Sequence, residues 1–354
     1  MIKYVDKTNK FVEVFNPDNG FYMRSGIIDE HGKETEKDPF MRNFPNLLDI
    51  GIMGHCHNSK LCPVDCYQSG HTTKLDNMSL NNFKKIIDQA KGKVFSVALG
   101  GRGDPNKHEN FEEIVKYSKE NAVAPTYTTS GLALTDKEID ITKKYVSAVA
   151  VSAYSAEHTY SAVRRFIAAG IKTNIHFVLS NESIDVALDI VKNIDKHEWL
   201  KGVNAFIFLN FKNVGCGALK AENIIDYRDS KVKELFNLVD TKKLPFGIGF
   251  DACNCANVSK LMTHYDTKSV SCCDAATFSA YISSDMIMVP CSFDAARLFG
   301  CDISKLTMDE AWNSLQFEKY RDLQRIGLPG KCENCKHFGD TCRPCQIVKD
   351  LNRC

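Results

Sequence analysis

Three cysteines fall within eleven residues of one segment, Gly54-His55-Cys56-His57-Asn58-Ser59-Lys60-Leu61-Cys62-Pro63-Val64-Asp65-Cys66-Tyr67-Gln68. A 4Fe-4S cluster normally takes four thiolates, so a loop offering three leaves one iron open to an exchangeable ligand. Zinc is the competing occupant, because Cys56, Cys62 and Cys66 with His55 or His57 make a tetrahedral Cys/His set. A second concentration lies at the far end of the chain. There Cys332-Glu333-Asn334-Cys335, six residues, Cys342-Arg343-Pro344-Cys345, eight residues and Cys354 place five thiols in 23 residues. Cys253, Cys255, Cys272, Cys273 and Cys291 precede them. Such density calls for metal or iron-sulfur ligation. A zinc ribbon from Cys332, Cys335, Cys342 and Cys345 is one reading, though it leaves Cys291 and Cys354 without a role.

The chain has 354 residues and 15 cysteines, and the start Met1-Ile2-Lys3-Tyr4-Val5-Asp6-Lys7 lacks the apolar segment of a secretory signal. A disulfide framework is therefore not expected; the thiols suit a reducing compartment, and the expected location is cytoplasmic. Lys+Arg of 45 against Asp+Glu of 44 leaves a formal charge of +1 with no long run of one sign. Neither nucleic acid nor a membrane surface is expected as a partner. No stretch of about 18 apolar residues that could cross a bilayer is present.

The elements that must position the first thiols are short β-branched runs alternating with amphipathic helical patterns, the mark of repeated βα units around a parallel sheet. Strands are predicted over Leu47–Met53, Val94–Leu99, Ala124–Thr128, Ala148–Ser152, Thr173–Leu179 and Val203–Leu209. Phe83, Ile86, Ile87 and Ala90 recur at helical spacing between a Ser79 cap and Gly92. Thr135 with Glu138 forms a capping box, Gly170 ends the helix that begins after Glu157, and Ser183 caps the next. Six units suit an open partial barrel, with the site at the C-terminal ends of its strands. His55 and Cys56, Gly100 to Pro105, Thr128 to Gly131 and Ser152 would then share one mouth. Asn174, His176, Asn204 and Asn210 are read as structural. Phe11–Phe15, the turn Asn16-Pro17-Asp18-Asn19-Gly20 and Phe21-Tyr22-Met23 predict a β-hairpin. A helical pattern runs from Met308 to Leu323. The expected domains are a hairpin extension over 1–45, a partial (β/α)6 TIM-like barrel over 46–240 and a cysteine-rich domain over 241–354.

A three-cysteine loop directly after the first strand of a βα series, followed by Tyr67-Gln68, resembles the radical S-adenosylmethionine superfamily. Five and then three residues separate these cysteines, where three and then two are usual, and Asp65 stands where an aromatic usually touches adenine. Gly100-Gly101-Arg102-Gly103-Asp104-Pro105 resembles the Gly-Gly-Glu-Pro segment that binds the methionine amino group, with Asp104 in place of Glu. The resemblance implies cofactor contacts from Tyr67, Gly101, Gly103, Asp104, Pro105, Thr129, Ser130 and Ser152. Glycines let backbone approach closely, and carbonyls accept from an ammonium.

Residues 245–354 resemble the SPASM extension of such enzymes. Carried over, one auxiliary 4Fe-4S cluster would take Cys253, Cys273, Cys291 and Cys345, and another Cys332, Cys335, Cys342 and Cys354. Cys255 is an alternative to Cys253, Cys272 to Cys273, and Cys342 and Cys345 could exchange. With Cys56, Cys62 and Cys66 that uses eleven cysteines, leaving Cys216, Cys255, Cys272 and Cys301.

What the resemblance implies is reductive cleavage of S-adenosylmethionine to a 5'-deoxyadenosyl radical and hydrogen abstraction from a substrate. A peptide is the expected substrate, in maturation of a ribosomally made peptide; a small metabolite is the alternative, and a non-catalytic zinc or iron-sulfur protein a third reading. Ser292 after Pro290-Cys291 departs from the Asp of sulfatase maturases. A flavodoxin or ferredoxin would supply electrons. The 45 residues before the barrel are too few for a winged-helix leader-binding domain, so a peptide substrate would need a separate leader-binding protein.

Overall fold

The computed structural model describes residues 1–57, 65–154, 156–265, 269–339, 341–348 and 351. Alternating burial in Phe11-Val12-Glu13-Val14-Phe15 makes the central strand of a small antiparallel sheet, β1 (Ile2–Asp6), β2 (Phe11–Phe15) and β3 (Tyr22–Arg24). The predicted hairpin is β2–β3, and β1 adds a third strand. Phe15 stacks on Phe95 at 5.3 Å, beside the entry to the second barrel strand, so this sheet packs at the end of the barrel opposite the mouth.

The chain then runs β4 (Leu47–Met53), α1 (Leu80–Ala90), β5 (Ser96–Gly101), α2 (Phe111–Glu120), β6 (Ala124–Thr129), α3 (Asp136–Tyr145), β7 (Ala148–Ser152), α4 (Glu157–Ala168), β8 (Thr173–Leu179), α5 (Ile184–Lys192) and β9 (Ala205–Asn210). These six strands pair in parallel and in sequence order. After α6 (Ser230–Thr241), β10 (Gly247–Phe250) adds a seventh parallel strand beside β9. After α7 (Cys255–Leu261), β11 (Ser279–Ile282) pairs in parallel with β4 at the other edge, and β12 (Ile287–Val289) and β13 (Cys301–Asp302) continue antiparallel. Position 240 falls in α6, and residues on either side of it contribute strands to the same ten-stranded sheet. Two helices, α8 (Met308–Trp312) and α9 (Leu315–Ile326), follow.

Helix amphipathicity closes the core. Phe83, Ile86, Ile87 and Ala90 of α1 and Ile114 and Val115 of α2 pack on Leu48, Ile50, Val97 and Leu99 of the sheet. Ser79 accepts from the Asn82 N–H, and Thr135 and Glu138 form the predicted capping box. Three expectations shift. The strands predicted from Val94 and Val203 begin at Ser96 and Ala205, because Val94 and Val203 are buried in the preceding turns, and extend instead to Gly101 and Asn210. Ser183 occupies the N-cap position, but its hydroxyl donates to Val178 O and accepts from Ser180 N, so it closes the turn before α5 rather than capping the helix. The predicted 308–323 helix is broken at Asn313-Ser314, where Ser314 caps a second helix by accepting from Phe317 N.

Candidate active site at the barrel mouth

The mouth forms where β4 to β9 end. β4 runs into Cys56, and β5 ends in the glycine segment; a register shift between Gly51 and Met53 sets Met53 opposite Gly101. Gly101 has φ +115°, and a Cβ there would stand 2.3 Å from Met53 O, so only glycine fits. A Cβ on Gly103 would lie 2.8 Å from His55 O and 3.3 Å from Cys56 Cα. The glycine segment thus lies directly on the backbone that carries Cys56. Cys56 and Cys66 converge on Gly70, where an added Cβ would be 3.4 Å from Cys56 Cβ and 3.4 Å from Cys66 Sγ. Cys62 lies outside the described residues. Cys66 O accepts from Cys216 N at 3.0 Å, which ties the cysteine loop to the turn after β9. His55 Nδ1 is 3.2 Å from Leu75 O, and Asp65 pairs with Lys220 at 2.7 Å.

Asp104, Thr129 and Ser130 meet one another. Asp104 accepts from Ser130 N at 2.9 Å and from Ser130 Oγ at 2.5 Å. Burial pushes its carboxyl up, and the bonds from Ser130 and Thr129 oppose that. Pro105 is buried and starts a short turn, with Asp104 at its cap. Thr129 is buried and accepts from Gly131 N at 3.1 Å. Ser152 ends β7, its carbonyl 3.4 Å from Thr159 Oγ1. Beside it in register stands His176, with Thr128 Oγ1 3.4 Å from its Nδ1.

Burial pulls His176 down to about 4 from the ordinary 6.5. The unfolded chain therefore binds more protons between those values, so this contribution to stability is present above the unfolded value and is lost as pH falls through the folded one. At about 1.4 kcal/mol per unit, His176→Asn is expected to remove about 2 kcal/mol of acid destabilisation between about pH 7 and about pH 4.5. Urea midpoints of apoprotein and variant at the two pH values measure it; parallel slopes would refute it.

The inner wall adds groups that the linear pattern does not single out. Asp49 of β4 and Tyr281 of β11 are register partners, and burial pushes Asp49 up to about 6. Tyr67 is pushed up to about 12 by burial, with the charge of Asp49 adding to it. Its ring meets Phe293 at 4.8 Å, and Gln68 Nε2 donates to Ser292 O at 3.4 Å. The segment after Cys66 therefore touches the segment after Cys291. An acidic residue inside the otherwise apolar Leu47-Leu48-Asp49-Ile50 was the one legible sign of this wall.

Cys253, Cys273, Cys291 and Cys345, up to 92 positions apart in sequence, come within electrostatic reach of one another. Burial pushes the Cys253, Cys273 and Cys291 thiols well up, and charge on neighbouring cysteines adds to it, while Lys212 opposes it at Cys253. Cys255 and Cys272 are buried beside this group, and Cys255 feels Cys342 and Cys272 more strongly than Cys273 or Cys253. Cys255 Sγ also lies 3.2 Å from Ser271 O. Cys332 and Cys335 share a turn, with Cys335 N donating to Cys332 O at 3.2 Å, and Cys342 N donates to His337 O at 2.9 Å. Cys354 lies outside the described residues. Cys301 is buried apart from both groups, 3.2 Å from Ser314 Oγ. Among the described residues no three His, Cys, Asp or Glu side chains are arranged around a single metal ion.

Residues 272–336 match the family model of the SPASM iron-sulfur cluster-binding domain. No curated protein matches the chain. Among solved structures, Streptococcus suis SuiB bound to S-adenosylmethionine superposes with a TM-score of 0.66 at 17% identity, over 87% of this chain and 74% of SuiB. SuiB bound to its precursor peptide SuiA gives 0.67 at 16% identity, over 87% and 73%. Native anSMEcpe with bound AdoMet and the Cp18Cys peptide gives 0.60 at 15% identity, over 84% and 88%. At these identities the likeness is one of fold. Among the described residues no helix is long and apolar enough to cross a membrane.

Proposed function

We propose that this chain, which carries a SPASM domain on a partial barrel of the radical S-adenosylmethionine type, cleaves S-adenosylmethionine reductively and uses the product to oxidise or crosslink a peptide. The observation that carries the reading is the packing of the Gly101–Asp104 segment against Cys56 at the barrel mouth. When bound, a 4Fe-4S cluster and S-adenosylmethionine supply a 5'-deoxyadenosyl radical that abstracts hydrogen from substrate.

The donor sets fit that chemistry. Cys56, Cys62 and Cys66 would hold the cluster and leave one iron for the cofactor. Gly101 and Gly103 keep backbone against the cysteine loop, where carbonyls can accept from an ammonium. Asp104 and Pro105, with Thr129 and Ser130, fix the direction of that segment, and Tyr67 and Ser152 stand at the rim for the nucleoside and carboxylate. Thiols that burial keeps protonated in the free protein would release their protons to solvent on binding iron as thiolates. Cys253, Cys273, Cys291 and Cys345 would hold one auxiliary cluster, and Cys332, Cys335, Cys342 and Cys354 a second.

A peptide substrate is favoured by the fold shared with SuiB and anSMEcpe, both of which are described with bound peptides. A small metabolite is the alternative substrate. A flavodoxin or ferredoxin in a reducing cytoplasm would deliver the electron, and a separate protein would bind the leader of a peptide substrate. Anaerobically reconstituted protein given strong reductant and S-adenosylmethionine is expected to form 5'-deoxyadenosine and to contain about twelve irons without zinc. No 5'-deoxyadenosine would overturn the enzymatic reading. About four irons would leave the radical site and remove the auxiliary assignment.

A further inference from the structure

A buried lysine stands between two of the auxiliary thiol segments. Lys212 follows β9 and Asp251 follows β10, and because these strands are parallel neighbours the two residues emerge side by side at the mouth. The Lys212 side chain is only 6% exposed, and its Nζ donates to Asp251 Oδ2. The other carboxylate oxygen is occupied, accepting from Asn210 N at 3.1 Å and Asn254 Nδ2 at 3.0 Å. Asn210 Nδ2 reaches on to Cys253 O at 3.2 Å, so the ion pair is built into the turn that bears Cys253. On its other side the ammonium sits 4.9 Å from the centre of the Phe293 ring, two residues beyond Cys291.

Burying an ammonium is costly unless charge compensates it. Burial alone would pull Lys212 down, but the Asp251 carboxylate beside it holds it above the ordinary lysine range. An ammonium has three donors, and among the described residues only one hydrogen bond is assigned, to Asp251. A neutral apolar side chain would fill this volume at less cost if packing were the whole purpose. A cation here acts instead on whatever negative charge gathers at Cys253 and Cys291. In a low-dielectric site it stabilises the reduced form of an iron-sulfur group, which carries one more negative charge than the oxidised form.

We propose that Lys212 is a tuning residue that raises the reduction potential of the auxiliary cluster held by Cys253, Cys273, Cys291 and Cys345. The proposal rests on that ligand assignment. It makes this cluster, rather than the one at Cys56, Cys62 and Cys66, the easier of the two to reduce, as suits an acceptor of electrons.

The test is a redox titration of the reconstituted holoenzyme followed by electron paramagnetic resonance, with iron counted in every variant. Lys212→Met and Lys212→Gln are expected to lower one auxiliary midpoint while the other midpoints stay, and Lys212→Arg is expected to keep the wild-type value. The expected change is about tenfold in the oxidised-to-reduced ratio at fixed potential, about 59 mV for a one-electron couple. Unmoved midpoints in iron-replete neutral variants would overturn the proposal. If one neutral variant loses iron, the other decides. Loss of auxiliary iron from both would also overturn it, making Lys212 a residue of cluster retention. Wild-type protein with about four irons would instead defeat the ligand assignment itself.

Discussion

Cys56→Ala is expected to reduce 5'-deoxyadenosine formation to background while leaving about eight of about twelve irons in place. The segregation follows from the fold. Cys56 leaves β4 at one rim, and its neighbours are Gly70, Gly103 and Cys66, whereas Cys253, Cys273, Cys291 and Cys345 lie within electrostatic reach of one another as a second group. A three-thiolate site has no spare ligand, so loss of one thiolate costs the whole cluster and with it the cofactor's attachment. Cys301→Ala is the matched control, because that thiol is buried against Ser314 and lies in neither group. It should keep full iron content and wild-type turnover. Iron analysis, anaerobic product chromatography and S-adenosylmethionine binding measure the outcome. Turnover surviving in Cys56→Ala would rule out the Cys56 loop as the radical site.

Glu13→Ala is expected to destabilise the protein by about 3–5 kcal/mol, since it strands a buried guanidinium. Glu13 Oε2 lies 2.5 Å from Arg42 Nε, and both side chains are fully buried. Glu13 Oε1 also accepts from the Tyr22 hydroxyl at 2.7 Å and from Asn46 Nδ2 at 2.8 Å. Arg42 donates to Phe44 O, Pro45 O and Lys93 O at 2.7–3.0 Å, and its guanidinium lies 3.5 Å from the centre of the Tyr4 ring. One residue of the N-terminal sheet thus neutralises the cation that organises the entry to β4. The double variant Glu13→Leu/Arg42→Met is expected to recover much of the loss, because removing both charges also removes their desolvation cost. Equilibrium urea unfolding measures both. A loss below about 1 kcal/mol would show the pair to be solvated like a surface pair.

The chain's local chemistry was legible and its long-range pairings were not. Ser79, Thr135 and Glu138 announced their helices, and the six strands fell near their predicted places, because capping and hydrophobic period act over one turn or one strand. Ser183 misled for the same reason in reverse, since its hydroxyl had a closer partner in the turn at Ser180. The seventh strand at Gly247–Phe250 was missed. Its short sequence has two glycines and is defined by pairing with β9, about which neighbouring residues say nothing.

For the site, thiol spacing singled out Cys56, Cys62 and Cys66, because thiolates close in sequence can share a ligand, while the Gly100–Pro105 segment was singled out by its resemblance to the radical S-adenosylmethionine superfamily. That Asp104 is engaged by Ser130, 26 residues on, and that Lys212 meets Asp251 across 39, depended on parallel strands delivering both ends to one rim. The same holds for Tyr67 against Phe293 and for the gathering of Cys253, Cys273, Cys291 and Cys345. The sequence by itself determined which groups could bind iron. Which of them share a site, and which charge stands beside them, was decided by the tertiary structure, because burial and strand order exist only once distant segments have packed.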